Sequence, residues 1–366
     1  MVGRKTGARA FVHRGGGVRI ADTVIACDAA AGTELVFLSH ATAFGVHARR
    51  ALPRLGGARR QLLATEQTLA LLGPVGERLK AHALPAGYGR PFSLGDLRLE
   101  MFPSGFMPGA ASLLCERDGR RIVYAGPIGA WGAGELSSPR TIAGGFGNPS
   151  RVPEIIGAGP GDVRAADALC LDATFGDESF AFPTRAQALA EVGRAVRDVL
   201  ARGDAPVVLV DPVAIAVDIA VALAGDRIGL AAHRSIVQAA IAYRHAGLTA
   251  PPLQRFAGKL GPGEALLWPA QVRVPARRAG ARAPGLILVS ADAGSAAPAA
   301  GAEGGARVTF PTAADFAGLL RYVEASGATE VALVNAPGDA LAVALRARGV
   351  DAYTLGPPRQ IELFAA

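Results

Sequence analysis

The chain has 366 residues, room for about two domains, and half of them are hydrophobic while only 6% are aromatic. Lys and Arg number 38 against 31 Asp and Glu, a formal charge of +7 with a pI near 9.8; this suits contact with polyanions, and an Ala- and Arg-rich composition also produces it. The N-terminus has no apolar signal core, the most apolar stretch (205–225) is broken by Asp211, Pro212 and Asp218, and Cys27, Cys115 and Cys170 form no CxxC pair. A secreted disulfide scaffold, a membrane span and a zinc ribbon are therefore not expected, and a cytoplasmic protein is.

In chain order, the first 175 residues read as short strands: Val18–Ile20, Thr23–Cys27, Leu35–Ser39, Leu97–Phe102, Ala111–Arg117, Arg121–Ala125 and Ala168–Asp172. The three cysteines lie within such apolar runs and read as small buried hydrophobes. "ERDGRR" (116–121) is a hairpin turn between two strands, and one helix is predicted over 65–73, after Thr65. From 184 the period changes. Ala188, Val192, Val196 and Val199 recur at helical spacing over 184–202, followed by strand 206–211, helix 213–224, strand 227–232 and helix 234–246. Short strands follow near 265–268 and 285–290. Strands alternating with helices imply parallel βαβ units. Residues 291–306 are low in complexity and read as a flexible loop. Helix 312–325, strand 330–334, helix 338–348 and a strand near 351–355 close the chain.

The polar residues at strand ends are the chemical candidates. His40 ends an apolar run, and His47 follows seven residues later on what reads as a helix surface. Asp172 ends another strand two residues before Thr174, Asp28 ends "TVIACD" as a turn residue, and Asp315 reads as a first-turn acid after Thr312. The Gly-rich pieces 15–17, 143–147 and 157–161 lack the Lys-Ser/Thr of a phosphate cradle and read as loops. Arg49, Arg50, Arg54, Arg59 and Arg60 are either a solvated face or a phosphate track, with no aromatic residues interleaved.

Five segments carry a resemblance: "FLSHATAFGVH" (37–47), "PSGFMPGAASLL" (103–114), "IVYAGPIG" (122–129), "LCLDATFGD" (169–177) and the segment 308–335. In their order they resemble the motifs of metallo-β-lactamase-fold nucleases with a β-CASP insert, the branch that includes bacterial exonucleases, mRNA 3′-end processing factors and types associated with DNA ligase genes. "IGLAAHRSIVQAAIAYRHAGL" (228–248) resembles a strand and helix of that insert. The resemblance implies an α/β protein with an αββα sandwich from 1–175 and 308–366, and a smaller α/β insert from 176–307.

In that family the motifs supply His and Asp ligands to two zinc ions that activate hydroxide. Here Thr42 stands at the second His, Phe44 at the Asp, Gly45 at the third His and Phe106 at the His of the "GH" motif. Pro127 stands at the bridging Asp, Ala313 at the His of "HAD" and Asn335 (or Ala336) at the last His, so that only the relict positions His40 and Asp172 match. Zinc needs about four N, O or S ligands, three of them from protein at a catalytic site. The expectation is no catalytic residue and no bound metal or other cofactor. Phe44 and Phe106 are expected to fill the emptied pocket, and His40 to act either as a relict ligand or as a strand-end cap. Three functions compete. The first is a pseudoenzyme scaffold with a nuclease, helicase or ligase as protein partner and at most weak nucleic-acid binding. The others are an active zinc exonuclease that recruits further ligands, and a nucleic-acid-binding module without catalysis.

Overall fold

The computed structural model describes residues 9–14, 17–29, 35–43, 61–129, 161–274, 284–292 and 305–356, and elements are numbered in chain order within them. The described residues form a mixed α/β structure with three sheets. The first is formed by β1 (Phe11–Arg14), β2 (Gly17–Ile20), β3 (Ile25–Cys27), β4 (Leu35–Phe37), β5 (Gln61–Ala64) and β6 (Ala83–Pro85), in that spatial order. The second comprises β7 (Phe92–Leu94), β8 (Leu97–Pro103), β9 (Ala111–Arg117), β10 (Arg120–Gly126), β11 (Ala168–Asp172), β18 (Glu330–Val334) and β19 (Asp351–Thr354), in the order 19-18-11-10-9-8-7.

Alternation along these strands decides the layering. Phe37, Leu63 and Ile25 from the first sheet pack with Leu99, Leu113, Tyr124 and Cys170 from the second in one shared core. All three cysteines are buried free thiols in it; burial pushes Cys115 up to about 11 and raises Cys27 and Cys170 well above the usual thiol value.

The outer face of the first sheet (Val36, Leu38, Leu62) is covered by α1 (Glu66–Leu71) and α2 (Pro74–Leu79). The outer face of the second (Val123, Leu169, Leu171, Val331, Leu333) is covered by α6 (Phe316–Ser326) and α7 (Ala340–Arg346). The result is four layers, helix–sheet–sheet–helix. Each fully buried Leu or Phe at these interfaces contributes about 1.5–3 kcal/mol.

The third sheet is built only from residues 205–309. It contains β12 (Ala205–Asp211), β13 (Gly229–Ala232), β14 (Gln254–Arg255), β15 (Glu264–Pro269), β16 (Pro284–Ser290) and β17 (Ala306–Thr309), all parallel, in the order 14-13-15-12-16-17. Against it pack α3 (Arg185–Ala201), α4 (Ala216–Gly225) and α5 (Arg234–His245). The apolar stripe of α3 is the one its spacing predicts, and a capping box of Thr184 and Gln187 fixes its start. Between Asp211 and α4 the predicted helix begins as a short 3₁₀ turn at Val213–Ile215.

β11 and β18 are hydrogen-bonded parallel neighbours, with Asp172 opposite Val334, so this third sheet lies within the connection between two adjacent strands. The Phe182 N–H donates to Asp315 Oδ2 at 3.0 Å, tying the outgoing chain to the returning one. Two expectations need correction here. The return expected at residue 308 falls inside β17, and Ala306 of the expected loop 291–306 is in that same strand; most of the loop lies outside the described residues. The helix expected from 312 starts at Phe316, because Asp315 is its N-cap and accepts from the Gly318 N–H, rather than lying in its first turn. No helix among the described residues is long and apolar enough to cross a membrane.

Candidate functional site

The strand ends of the two facing sheets converge where the motif residues lie. Phe37 ends β4, and Ser39 and His40 continue it into a turn held by the Ala111 N–H donating to the Ser39 carbonyl. That bond crosses from the first sheet to the second. Gly126 lies directly over Ser39: a Cβ built on it would sit 3.3 Å from Ser39 Oγ, and its φ of +62° is one that glycine adopts freely.

His40 is 9% exposed and Ser39 1%. Asp28, in the left-handed region at φ +50°, reaches under both. Its Oδ1 accepts from the Ser39 N–H at 2.8 Å, and its Oδ2 accepts from Ser39 Oγ at 2.6 Å and from Tyr124 Oη at 2.8 Å. Burial and the adjacent Asp28 raise the Tyr124 phenol well above its usual value, so it stays a donor. Because Ser39 spends its proton on a carboxylate, its oxygen accepts from His40 Nδ1, 2.7 Å away. This assigns His40 the Nδ1–H tautomer and leaves Nε2 as an unprotonated acceptor. Burial pulls the imidazole below its ordinary pKa, with Asp28 and Asp172 pushing the other way. His40 is a neutral base on a buried relay.

The structure brings several other candidates to the same place. The Phe106 ring meets the His40 ring edge-on at 4.9 Å. Thr42 Oγ1 lies 3.7 Å from Met107 Sδ, on the same loop as Phe106. Pro127 directly follows Gly126, and the next residue, Ile128, accepts from the Ala314 N–H, which sets Ala313 beside this strand end. Asp172 acts electrostatically on His40, and both its oxygens accept hydrogen bonds. Oδ1 accepts from the Thr174 N–H and hydroxyl at 3.0 and 2.6 Å, and Oδ2 accepts from Asn335 Nδ2 at 2.7 Å. Asn335 sits at φ +56°, a conformation Asn tolerates better than most residues. Phe44, Gly45, His47 and the arginines Arg49, Arg50, Arg54, Arg59 and Arg60 lie outside the described residues.

Among the described residues the donor set falls short of a zinc centre. Asp28 and Asp172 are committed to hydrogen bonds, His40 offers one nitrogen, and Phe106, Pro127 and Ala313 offer side chains that cannot ligate. Among the described residues no three of His, Cys, Asp and Glu gather so as to hold a metal ion.

Sequence reasoning missed the support of His40. Asp28 read as a turn residue, and Ser39 and Tyr124 were not assigned to the site. Asp28 and Tyr124 stand 96 residues apart, so no local pattern links them. The usable signal was an acid ending the strand beside the His-bearing one.

No family model matches the chain. It is 24% identical over 285 residues to a probable DNA ligase of Opitutus terrae, an alignment covering 77% of this chain and 26% of the ligase. The chain thus spans about a quarter of the length of that relative.

Proposed function

We propose that this chain is a catalytically degenerate member of the metallo-β-lactamase/β-CASP nuclease group, acting as a scaffold in nucleic-acid processing beside an active nuclease, helicase or ligase. In this reading residues 176–307 are the β-CASP-like insert, with the last strand of its sheet running on to Thr309. The observation that carries it is the state of the motif positions: the strand-end framework and His40 are kept, while Phe106 fills the space against the imidazole and Asp172 is satisfied by Thr174 and Asn335. The partial likeness to a protein named as a DNA ligase supports a role close to strand joining. The test is elemental analysis of dialysed protein together with a metal-supplemented nuclease assay. Much less than one zinc per chain and no cleavage is the expected result. Stoichiometric zinc lost in His40→Ala, with cleavage lost alongside it, would replace the scaffold by an enzyme.

A further inference from the structure

Toward its β7 edge the second sheet changes character on its outer face. Alternation places Arg98 and Glu100 of β8, Leu114 and Glu116 of β9 and Arg121 of β10 on that side. Arg98 stands opposite Glu116 and Glu116 opposite Arg121, so the three form one row across three strands. They border an open cavity of about 200 Å³ whose lining is completed by Leu99, Glu100 and Leu114. Glu100 is already neutralised: Arg164 Nε and Nη2 donate to its Oε1 at 3.0 and 2.8 Å. The row is not. Glu116 lies 3.8 Å from the Nε of both Arg98 and Arg121, an ion-pair separation beyond hydrogen-bond reach. Arg121 Nε is buried without a hydrogen-bond partner. Two guanidiniums thus share one carboxylate and leave open donors toward the cavity.

We propose that this face docks an acidic peptide segment of a protein partner, with Arg98 and Arg121 as the contacts for its carboxylates. A carboxylate is planar and accepts two parallel N–H bonds from one guanidinium. It gives Arg121 Nε the acceptor that Glu116 is too far away to be. The cavity is smaller than the roughly 300–1,000 Å³ of small-molecule sites, and it opens on a sheet face. It therefore suits side chains projecting from a longer chain. The mixed signs of the lining choose between polyanions. The Glu116 carboxylate accepts no hydrogen bond among the described residues and is free to take one. A peptide brings backbone N–H donors alongside its acidic side chains. A phosphodiester backbone brings acceptors only and meets Glu116 and Glu100 with like charge. The Arg98 side chain is 65% exposed, so it meets a partner without rearrangement.

The inference rests on the scaffold reading and supplies the chemistry of its partner. Glu116 lies toward the opposite end of β9 from Ala111, which contacts Ser39, so the face is separate from the His40 site. The test is fluorescence anisotropy of a labelled oligoglutamate peptide with the full chain at low and moderate salt. The wild type is expected to bind it and not its oligoglutamine counterpart, more weakly at the higher salt. Affinity is expected to fall about tenfold or more in Arg98→Ala/Arg121→Ala, which removes the charge-assisted bonds. Arg98→Glu, a reversal at an exposed side chain that leaves the fold in place, should weaken binding as strongly. Arg234→Ala/Arg255→Ala removes the same charge from the third sheet and is expected to change nothing. Equal loss in that distant pair, no loss in the Arg98/Arg121 pair, or equal binding of oligoglutamine overturns the site. Free glutamate bound at these residues as tightly as the peptide overturns the peptide assignment, as does a single-stranded oligonucleotide bound there more tightly. No peptide binding by the wild type at low salt overturns the inference and leaves the scaffold reading standing. That reading fails separately, on zinc-dependent cleavage.

Discussion

Asp28→Asn replaces one oxygen by an NH₂ group and thereby reverses the direction of the relay that ends at His40. In the wild type Asp28 Oδ2 accepts from both Ser39 Oγ and Tyr124 Oη, at 2.6 and 2.8 Å. An amide that keeps its oxygen on the Ser39 N–H must present its NH₂ to those two hydroxyls. Ser39 then accepts from the amide and donates to His40 Nδ1, moving the imidazole proton to Nε2. Two hydrogen bonds to a charged acceptor, each contributing about 1.5–3 kcal/mol, become neutral ones contributing about 1 kcal/mol. The expected loss is about 2–3 kcal/mol, read from urea unfolding followed by circular dichroism. The tautomer is read separately, from the ¹⁵N shifts of the His40 ring. A variant that keeps wild-type stability and the Nδ1–H tautomer would refute the claim that Asp28 sets the state of His40.

Asp218→Ala strands Arg185, whose side chain is largely buried and lies over the Phe310 ring. Loss of about 2–3 kcal/mol is expected, below the usual cost of breaking a fully buried pair because Arg185 keeps some solvent. Arg185→Met/Asp218→Leu should recover most of it, and urea midpoints for the three proteins check this. The depressed His40 pKa makes stability fall on acidification. The contribution is complete above the ordinary imidazole value of about 6.5 and declines below it, since the unfolded chain then takes up a proton that the folded one does not, until the folded-state pKa is reached. His40→Gln should lose that part of the slope in urea midpoints measured from about pH 7 to 5.

Long amphipathic elements were legible in the sequence because periodicity over several turns is self-averaging. The helix expected at 184–202 occupies Arg185–Ala201, and the strand expected at 206–211 occupies Ala205–Asp211. Short elements were not. β1, β5 to β7 and α2 have three to six residues each, too few for a pattern, and their partners lie elsewhere in the chain. The same limit applies at the site. His40 and Asp172 stand out as polar residues ending apolar runs, whereas the roles of Asp28, Ser39 and Tyr124 exist only once two sheets face each other. Asn335 was legible as a position but not as the partner of Asp172.

The Phe182–Asp315 bond joins points 133 residues apart. Pairing β11 with β18 from an open chain means closing a longer loop, 173–329, of roughly 157 residues. If residues 185–310 collapse first around their own core, the two ends emerge close together and the loop still to be closed is only about 30 residues. The closure cost grows with the logarithm of loop length, so the difference is about 1.4 kcal/mol. The order of folding is thereby biased: the third sheet forms early, and the β11–β18 seam that carries Asp172 and Asn335 closes after it.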